Sequence, residues 1–230
     1  MKTRIGTLAV LTAALACAPA YAAPTKVGVR VEGATKTIFE GSVRTDAHLV
    51  TGDNTGPHKC DGTNGGAHST PGPTATGALD DAASAFGFSW SGSWSPSFED
   101  FVVNKIGPDA STSTQFWGLA VNGKQAQVGG CQFQVRRGDQ VLWAFDLFSK
   151  KHILRLIGQR QVRAGRRMFT RVVDAGTGQA IPGARVAGRK TNHKGVVYLR
   201  FRHPGVKRLK ARRSDSVRSQ LLRVKVLRGR

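Results

Sequence analysis

Apolar and polar positions first show a regular pattern at residues 27–32, where three valines alternate with Gly28, Arg30 and Glu32. This period of two predicts a β-strand with one buried face and one face in water. A second extended run follows at residues 36–44. The start of the chain therefore predicts two neighbouring strands of a sheet.

One segment has helical spacing instead. Apolar side chains recur three and four positions apart over residues 75–86, between Thr74, a typical N-cap residue, and Gly87, a typical C-terminal stop. Strands then return, and the run at 116–121 leads into Asn122-Gly123, a strong signal for a hairpin turn with two positive φ angles. Strands on both sides of one helix predict an α+β domain of β-grasp type, with one helix on a mixed sheet.

The pattern changes to all-β from Ile153 onward. Strands are predicted at 168–173 and 196–202, and turn-forming residues fill 174–178 and 191–195. We therefore expect an immunoglobulin-like sandwich to follow the β-grasp domain. The expected domains are a signal peptide at 1–22, the β-grasp domain at 23–151 and the sandwich at 152–230.

Charge divides the chain at the same position. Residues 152–230 contain 22 Lys and Arg and two acids, a formal charge of +20, whereas residues 23–151 contain 11 basic and 12 acidic residues. A localised positive excess indicates an anionic partner rather than a particular fold.

Cations alternate with apolar residues along the predicted strands of this basic segment. If those strands share one sheet, the cations line a single outer face. We expect that face to bind polyanions such as wall teichoic acids, acidic glycans, anionic lipid headgroups or extracellular nucleic acid, and to release them in salt. The seven cations concerned are Arg200, Arg202, Arg208, Lys210, Arg212, Arg223 and Lys225.

The alternative is that the arginines only keep a small sandwich soluble, although such a surface ordinarily mixes both signs of charge. Sequence-specific recognition of nucleic acid is not expected, because no helix is predicted that reads a groove.

The first 22 residues have the plan of a secretory signal. Lys2 and Arg4 precede an apolar run at 5–16, and Ala20-Tyr21-Ala22 forms a small-x-small cleavage site. The run is shorter than the roughly 20 residues that span a bilayer. We expect an exported protein without a membrane span, secreted or wall-associated; lipidation at Cys17 is the alternative.

Removal of the signal leaves Cys60 and Cys131, which we expect to form one disulfide in an oxidising compartment. A metal site that combines Cys60 with His58 and His68 is the alternative, and its irregular spacing argues against it. We expect no metal and no other cofactor.

Catalytic patterns are missing from the sequence. The six histidines are scattered over predicted loops, and the acidic pairs Asp80-Asp81 and Glu99-Asp100 are consecutive, so their carboxylates point apart. We therefore expect a protein that is not an enzyme. The best candidate for a ligand site is the Ser- and Gly-rich segment 86–98, where Trp90 and Trp94 would form a stacking platform for a sugar or another flat ligand. Alternatively, both tryptophans cover the edge of the fold.

The motifs at 117–123, 129–132, 138–139 and 142–145 resemble the secreted bacterial family named for its similarity to the C-terminal domain of transcobalamin. The resemblance covers about residues 26–150 and implies a β-grasp fold with a soluble-ligand role. Cobalamin binding in transcobalamin needs a second, helical domain, which no segment of this chain matches.

The order of motifs at 174–178, 181–186 and 191–195 resembles bacterial immunoglobulin-like and carboxypeptidase-regulatory-like modules, which are mostly spacers and adhesive units. The sequence thus favours an exported, non-enzymatic binding or surface-associated protein. The alternatives are a structural or adhesive spacer without a dedicated ligand, and a soluble β-grasp protein that binds a small molecule or glycan.

Overall fold

The computed structural model describes residues 24–229, so the predicted signal peptide and Cys17 lie outside the described residues. Within that range the protein is mostly β, with one α-helix and two short 3-10 turns at Asn64–Gly66 and Leu147–Ser149. We refer to residues 24–151 as the N-terminal region and to residues 152–229 as the C-terminal region.

The N-terminal region contains helix α1 (Ala75–Phe86) and ten strands. The strands are β1 (Thr25–Glu32), β2 (Thr37–Thr45), β3 (His48–Val50), β4 (His58–Cys60), β5 (Trp90–Ser95), β6 (Asp100–Ile106), β7 (Asp109–Ala110), β8 (Trp117–Val121), β9 (Lys124–Gln125) and β10 (Gln140–Phe145). Five of them form a mixed sheet in the order β2-β1-β10-β8-β9, in which β1 and β10 run parallel. Strands β3-β4 and β5-β6-β7 form two smaller sheets.

The C-terminal region adds ten strands. They are β11 (His152–Gly158), β12 (Gln161–Arg163), β13 (Arg167–Asp174), β14 (Arg185–Val186), β15 (Arg189–Lys190), β16 (Val196–Arg200), β17 (Gly205–Leu209), β18 (Ala211–Arg212), β19 (Ser216–Val217) and β20 (Leu222–Leu227). Their sheets have the orders β16-β13-β11-β19, β12-β20-β17 and β15-β14-β18. All three contribute to one core, which includes Leu156, Val186, Leu199 and Val224.

The capping and turn residues in the sequence correctly predicted the ends of α1 and the hairpin turn after β8. The Thr74 hydroxyl accepts a hydrogen bond from the Gly77 backbone N–H at 3.1 Å, and Gly87 ends the helix with a φ of 71°. Asn122 and Gly123 both have positive φ, at 52° and 82°, between β8 and β9. These residues are predictable because N-caps and left-handed turns depend on neighbours in the sequence.

Both faces of the five-stranded sheet are covered. On one face, Val141 and Trp143 of β10 join a core that includes Ala78 and Leu79 of α1. On the other face, Leu142 and Ala144 pack with Ile153 and Val217 of the C-terminal region. The alternation along β10 therefore joins the helix to one side and the C-terminal region to the other.

The prediction that one face of β1 is exposed to solvent is wrong. Val27, Val29 and Val31 are buried as expected, but Gly28 and Glu32 are buried too, and Arg30 is partly buried. The polar face of β1 contacts the C-terminal region. A period of two distinguishes the faces of a strand but does not show what covers a polar face.

No helix in residues 24–229 has the length and hydrophobicity needed to cross a bilayer.

Candidate anion-binding site

The predicted disulfide between Cys60 and Cys131 is confirmed, and both cysteines are fully buried. It joins the end of β4 to the segment before β10. Because the sulfur of Cys60 is bonded to Cys131, it is not available as a thiolate ligand for a metal beside His58 and His68. Within residues 24–229 no three His, Cys, Asp or Glu side chains are arranged to hold a metal ion.

Trp90 and Trp94 form a packed cluster over this disulfide. His58 stacks on Trp94 with 4.2 Å between ring centroids, and Phe101 meets both tryptophans edge-on at 5.5 and 5.0 Å. The Trp90 indole N–H donates to Asp80 Oδ1 at 2.9 Å. One face of Trp94 and the polar atom of Trp90 are thus occupied within the chain, which is the packing role that the sequence left as the alternative.

Charged groups around this cluster have specific partners. Interaction with the Asp80 carboxylate, 3.7 Å from Nε2, raises the pKa of His48 to about 9. Burial raises the pKa of Asp100 to about 6, although its carboxylate accepts hydrogen bonds from the backbone N–H groups of Cys131 and Phe101. In the N-terminal region, ionisable groups contribute to packing within the chain.

The prediction that seven cations share one outer face is wrong. The cations are distributed over strands and connections of different sheets: Arg200 lies on β16, whereas Arg208, Arg223 and Lys225 lie on β17 and β20, and Arg212 lies on β18. The inner faces of these sheets meet in one core, so their outer faces point in different directions. Six of the seven side chains, all but Lys210, are exposed as alternation predicted, but alternation did not show the sheet to which each belongs.

Lys210 does not face an external partner. Its ammonium lies 2.6 Å from Glu32 and 2.8 Å from Glu40, which are both in the N-terminal region. Arg218 also contacts Glu32, at 2.7 Å, and Arg30 lies 3.5 Å from the same carboxylate. We call these five residues the Glu32 cluster. It connects the polar face of β1 to the C-terminal region.

Burial lowers the pKa of Arg30, while the nearby Glu32 and Glu40 carboxylates act in the opposite direction. Glu32 itself is only 2% exposed. A carboxylate so completely buried needs cationic partners, and the cluster provides three.

A cleft of about 660 Å³ lies between the two regions, beside the Glu32 cluster. Three cations that face one another across hydrogen-bonded strands line it: Arg185 of β14 pairs with Lys190 of β15 on one side and with Arg212 of β18 on the other. All three are exposed, and none has a carboxylate within 4.0 Å among the described residues. Like charges directly opposite in a sheet repel, so a nearby anion would stabilise this row.

The other charges in the cleft are paired. Lys150 contacts Asp146 at 2.9 Å, and hydrogen bonds from Ser149 and Lys150 lower the pKa of Asp146, outweighing the opposing effect of burial. Arg213 binds Asp215 through two nitrogens, each at 2.8 Å, and lowers the pKa of that carboxyl to about 2. The Lys190, Arg185 and Arg212 row is therefore the unpaired part of the cleft.

Two further grooves share lining residues, one with this cleft and one with its neighbour. Lys190 also lines a groove of about 690 Å³, together with Arg167, Arg189 and Arg200. Arg200 in turn lines a third groove, of about 490 Å³, with Arg202. Arg167 and Arg200 are again direct cross-strand partners, in β13 and β16. Neither of these two grooves has an acidic residue among its lining side chains.

We call the unpaired cations that line these three grooves the cation track. They are Arg212, Arg185, Lys190, Arg189, Arg167, Arg200, Arg202 and Arg228. Only Arg200, Arg202 and Arg212 belong to the predicted set. Arg185 and Lys190 were missed because two-residue strands are too short for alternation to be detected, although Arg185 does lie between the buried Ala184 and Val186.

A DUF4430 domain, a domain of unknown function in a transcobalamin-like family, is found at residues 80–146. The match begins within α1 and ends directly after β10. It covers well under half of the chain and includes none of the cation track. No curated protein matches this chain.

Proposed function

We propose that this chain is an exported, non-enzymatic protein that attaches to linear polyanionic polymers through the cation track. The N-terminal domain, residues 23–151, has a β-grasp fold, and residues 152–230 form an immunoglobulin-like sandwich. The helix across a mixed five-stranded sheet and the three C-terminal sheets that share one core support these assignments.

The observation that carries the proposal is that cross-strand cation partners without carboxylates line grooves. Two such groups lie on the track: Lys190, Arg185 and Arg212 form one, and Arg167 and Arg200 form the other. Arg208 and Arg223 are also cross-strand partners, but they line none of the three grooves. A surface that serves only solubility mixes both signs of charge, because neighbouring cations without acidic residues between them repel one another. Grooves that share lining cations favour a linear polymer over a single small anion, since one chain can contact successive grooves.

Binding should be governed by counterion release. Each cation that contacts an anionic group of the polymer releases one condensed ion, so affinity falls steeply as salt rises. The phosphate chain of inorganic polyphosphate is a suitable probe because it offers charge without sugar rings or bases.

The test compares two triple variants of residues 23–230 that remove the same charge. Arg185→Gln, Lys190→Gln and Arg212→Gln alter the track, and Arg208→Gln, Arg223→Gln and Lys225→Gln alter the outer side of β17 and β20. Affinity for polyphosphate is measured across a salt series. The plot of log affinity against log salt has a negative slope, and the track variant should make it shallower by about 2 to 3. The control should retain the wild-type slope.

Equal losses in the two variants would show that total charge, not the track, determines binding. Release of the wild-type protein at ordinary ionic strength would contradict the proposed function itself.

A further inference from the structure

Two exposed aromatic side chains lie beside the Arg167–Arg200 pair of the cation track. Phe169 of β13 and Tyr198 of β16 are cross-strand partners, and they are 50% and 46% exposed. Partners in an antiparallel pair lie side by side on the same face of the sheet. Attraction for a simple anion does not account for exposed rings, because a chain of phosphates has no apolar surface for them to contact.

Arginines lie on both sides of this pair along the strands. Arg167 and Arg200 form the neighbouring cross-strand pair, and Arg171 follows Phe169 by two residues. Alternate residues of a strand share a face and lie about 7 Å apart. The outer face of this sheet therefore has the order cation, aromatic ring, cation.

Arg167 also covers one face of the phenol ring of Tyr198. Its guanidinium carbon lies 3.9 Å from the centroid of the Tyr198 ring, a cation–π contact. Side chains fixed before binding lose less conformational entropy when a ligand arrives. The Phe169 ring beside them remains half exposed and provides an apolar surface next to fixed charges.

We propose that the ligand of the cation track is an acidic polysaccharide, a polymer whose sugar rings carry carboxylate or sulfate groups. This inference rests on the proposed polyanion-binding function. The apolar face of one sugar stacks on Phe169 and contacts the exposed part of Tyr198, one face of which Arg167 occupies. Acidic groups of the polymer bind Arg200, Arg171 and Arg167.

The arrangement of rings and charges distinguishes this ligand from single-stranded nucleic acid. Nucleic acid carries its phosphates along one edge and requires successive aromatic surfaces for its bases. Here cations lie on both sides of a single aromatic pair among the described residues of this sheet face.

The experiment measures binding of residues 23–230 to polygalacturonate, inorganic polyphosphate and oligothymidine at one fixed ionic strength. The variants are Phe169→Ser and Tyr198→Ser, with Phe169→Leu to retain an apolar side chain without the ring. The matched control is Val206→Ser, which removes an exposed apolar residue, 61% exposed, from β17 in another sheet.

Loss of either ring should weaken polygalacturonate binding about tenfold, the effect of one stacking contact. Binding to polyphosphate should be unchanged in every variant, and Val206→Ser should match the wild type on all three polymers. Phe169→Leu should fall between Phe169→Ser and the wild type.

Each contrary outcome has its own meaning. If the wild type binds polyphosphate but not polygalacturonate, the polysaccharide is rejected and the proposed function stands. If the ring variants lose more affinity for oligothymidine than for polygalacturonate, nucleic acid is the ligand and our inference is wrong. If the ring variants lose equal affinity for polyphosphate and polygalacturonate, a role of the rings in stacking is also rejected. If the wild type binds none of the three polymers, the proposed function is overturned.

Discussion

The two regions use charge in opposite ways. In the N-terminal region several ionisable groups close to the core have a partner within the chain, as His48 has in Asp80 and Asp100 has in the backbone of Cys131. In the C-terminal region cations face other cations across hydrogen-bonded strands. Charges that pack against the N-terminal core are thus identified by their partners, and the cations of the track by the lack of a carboxylate within 4.0 Å among the described residues.

The largest expected effect concerns the disulfide, which belongs to the N-terminal region alone. Replacing Cys60 and Cys131 together by Ala should lower the free energy of unfolding of that region by about 4 kcal/mol, because the unfolded chain regains the freedom of a long loop. Tryptophan fluorescence in urea measures this, since all four tryptophans precede residue 151. Hydrogen exchange in β13 should stay as in the wild type; equal loss there would mean that the two regions unfold as one unit.

The next effect concerns the Glu32 cluster, where the two regions share their charges. Glu32→Gln should lower stability by about 3 kcal/mol, because Lys210 and Arg218 would remain buried without their shared carboxylate. Both the fluorescence transition and exchange in β13 should respond, unlike in the cysteine variant.

Glu40→Gln is the matched control for Glu32→Gln. Glu40 is more exposed, with 22% of its side chain accessible, and contacts only Lys210 among the cations of the cluster within 4.0 Å. Its replacement by Gln should lower the free energy of unfolding by about 1 kcal/mol. If both variants behave alike, Glu32 is not the centre of the connection.

The smallest effect has the opposite sign. Arg185→Thr should raise the stability of the C-terminal region by about 0.5 kcal/mol, because it relieves repulsion from Lys190 and Arg212. The same change should weaken polyphosphate binding. Arg171→Thr is the control, since the partners of Arg171 are Ile157 and Val196, and it should give no gain. A loss of stability in the Arg185 variant, measured by urea denaturation, would show that the row is not strained.

Features that depend on neighbouring residues were predictable. Thr74, Gly87 and Asn122-Gly123 act over a few positions, and they mark the helix and the hairpin correctly. The disulfide followed from the count of cysteines left after the expected loss of the signal.

Features that depend on distant pairing were not predictable. Arg208 and Arg200 show the same alternation with apolar neighbours, yet β17 and β16 belong to different sheets. Sheet membership is decided by hydrogen bonds to strands far along the chain. The row centred on Arg185 depends on three two-residue strands, which leave almost no periodic signal.

The Glu32 cluster also has a consequence for the order of folding. Glu32 lies in the first strand of the described chain, while its partners Lys210 and Arg218 follow 178 and 186 residues later. Contacts of such long sequence separation close late, because the intervening chain must first be ordered. The polar face of β1 should therefore stay hydrated until residues 210 and 218 are available to pair with Glu32. The slowest step of folding should be the docking of the final quarter of the chain onto β1.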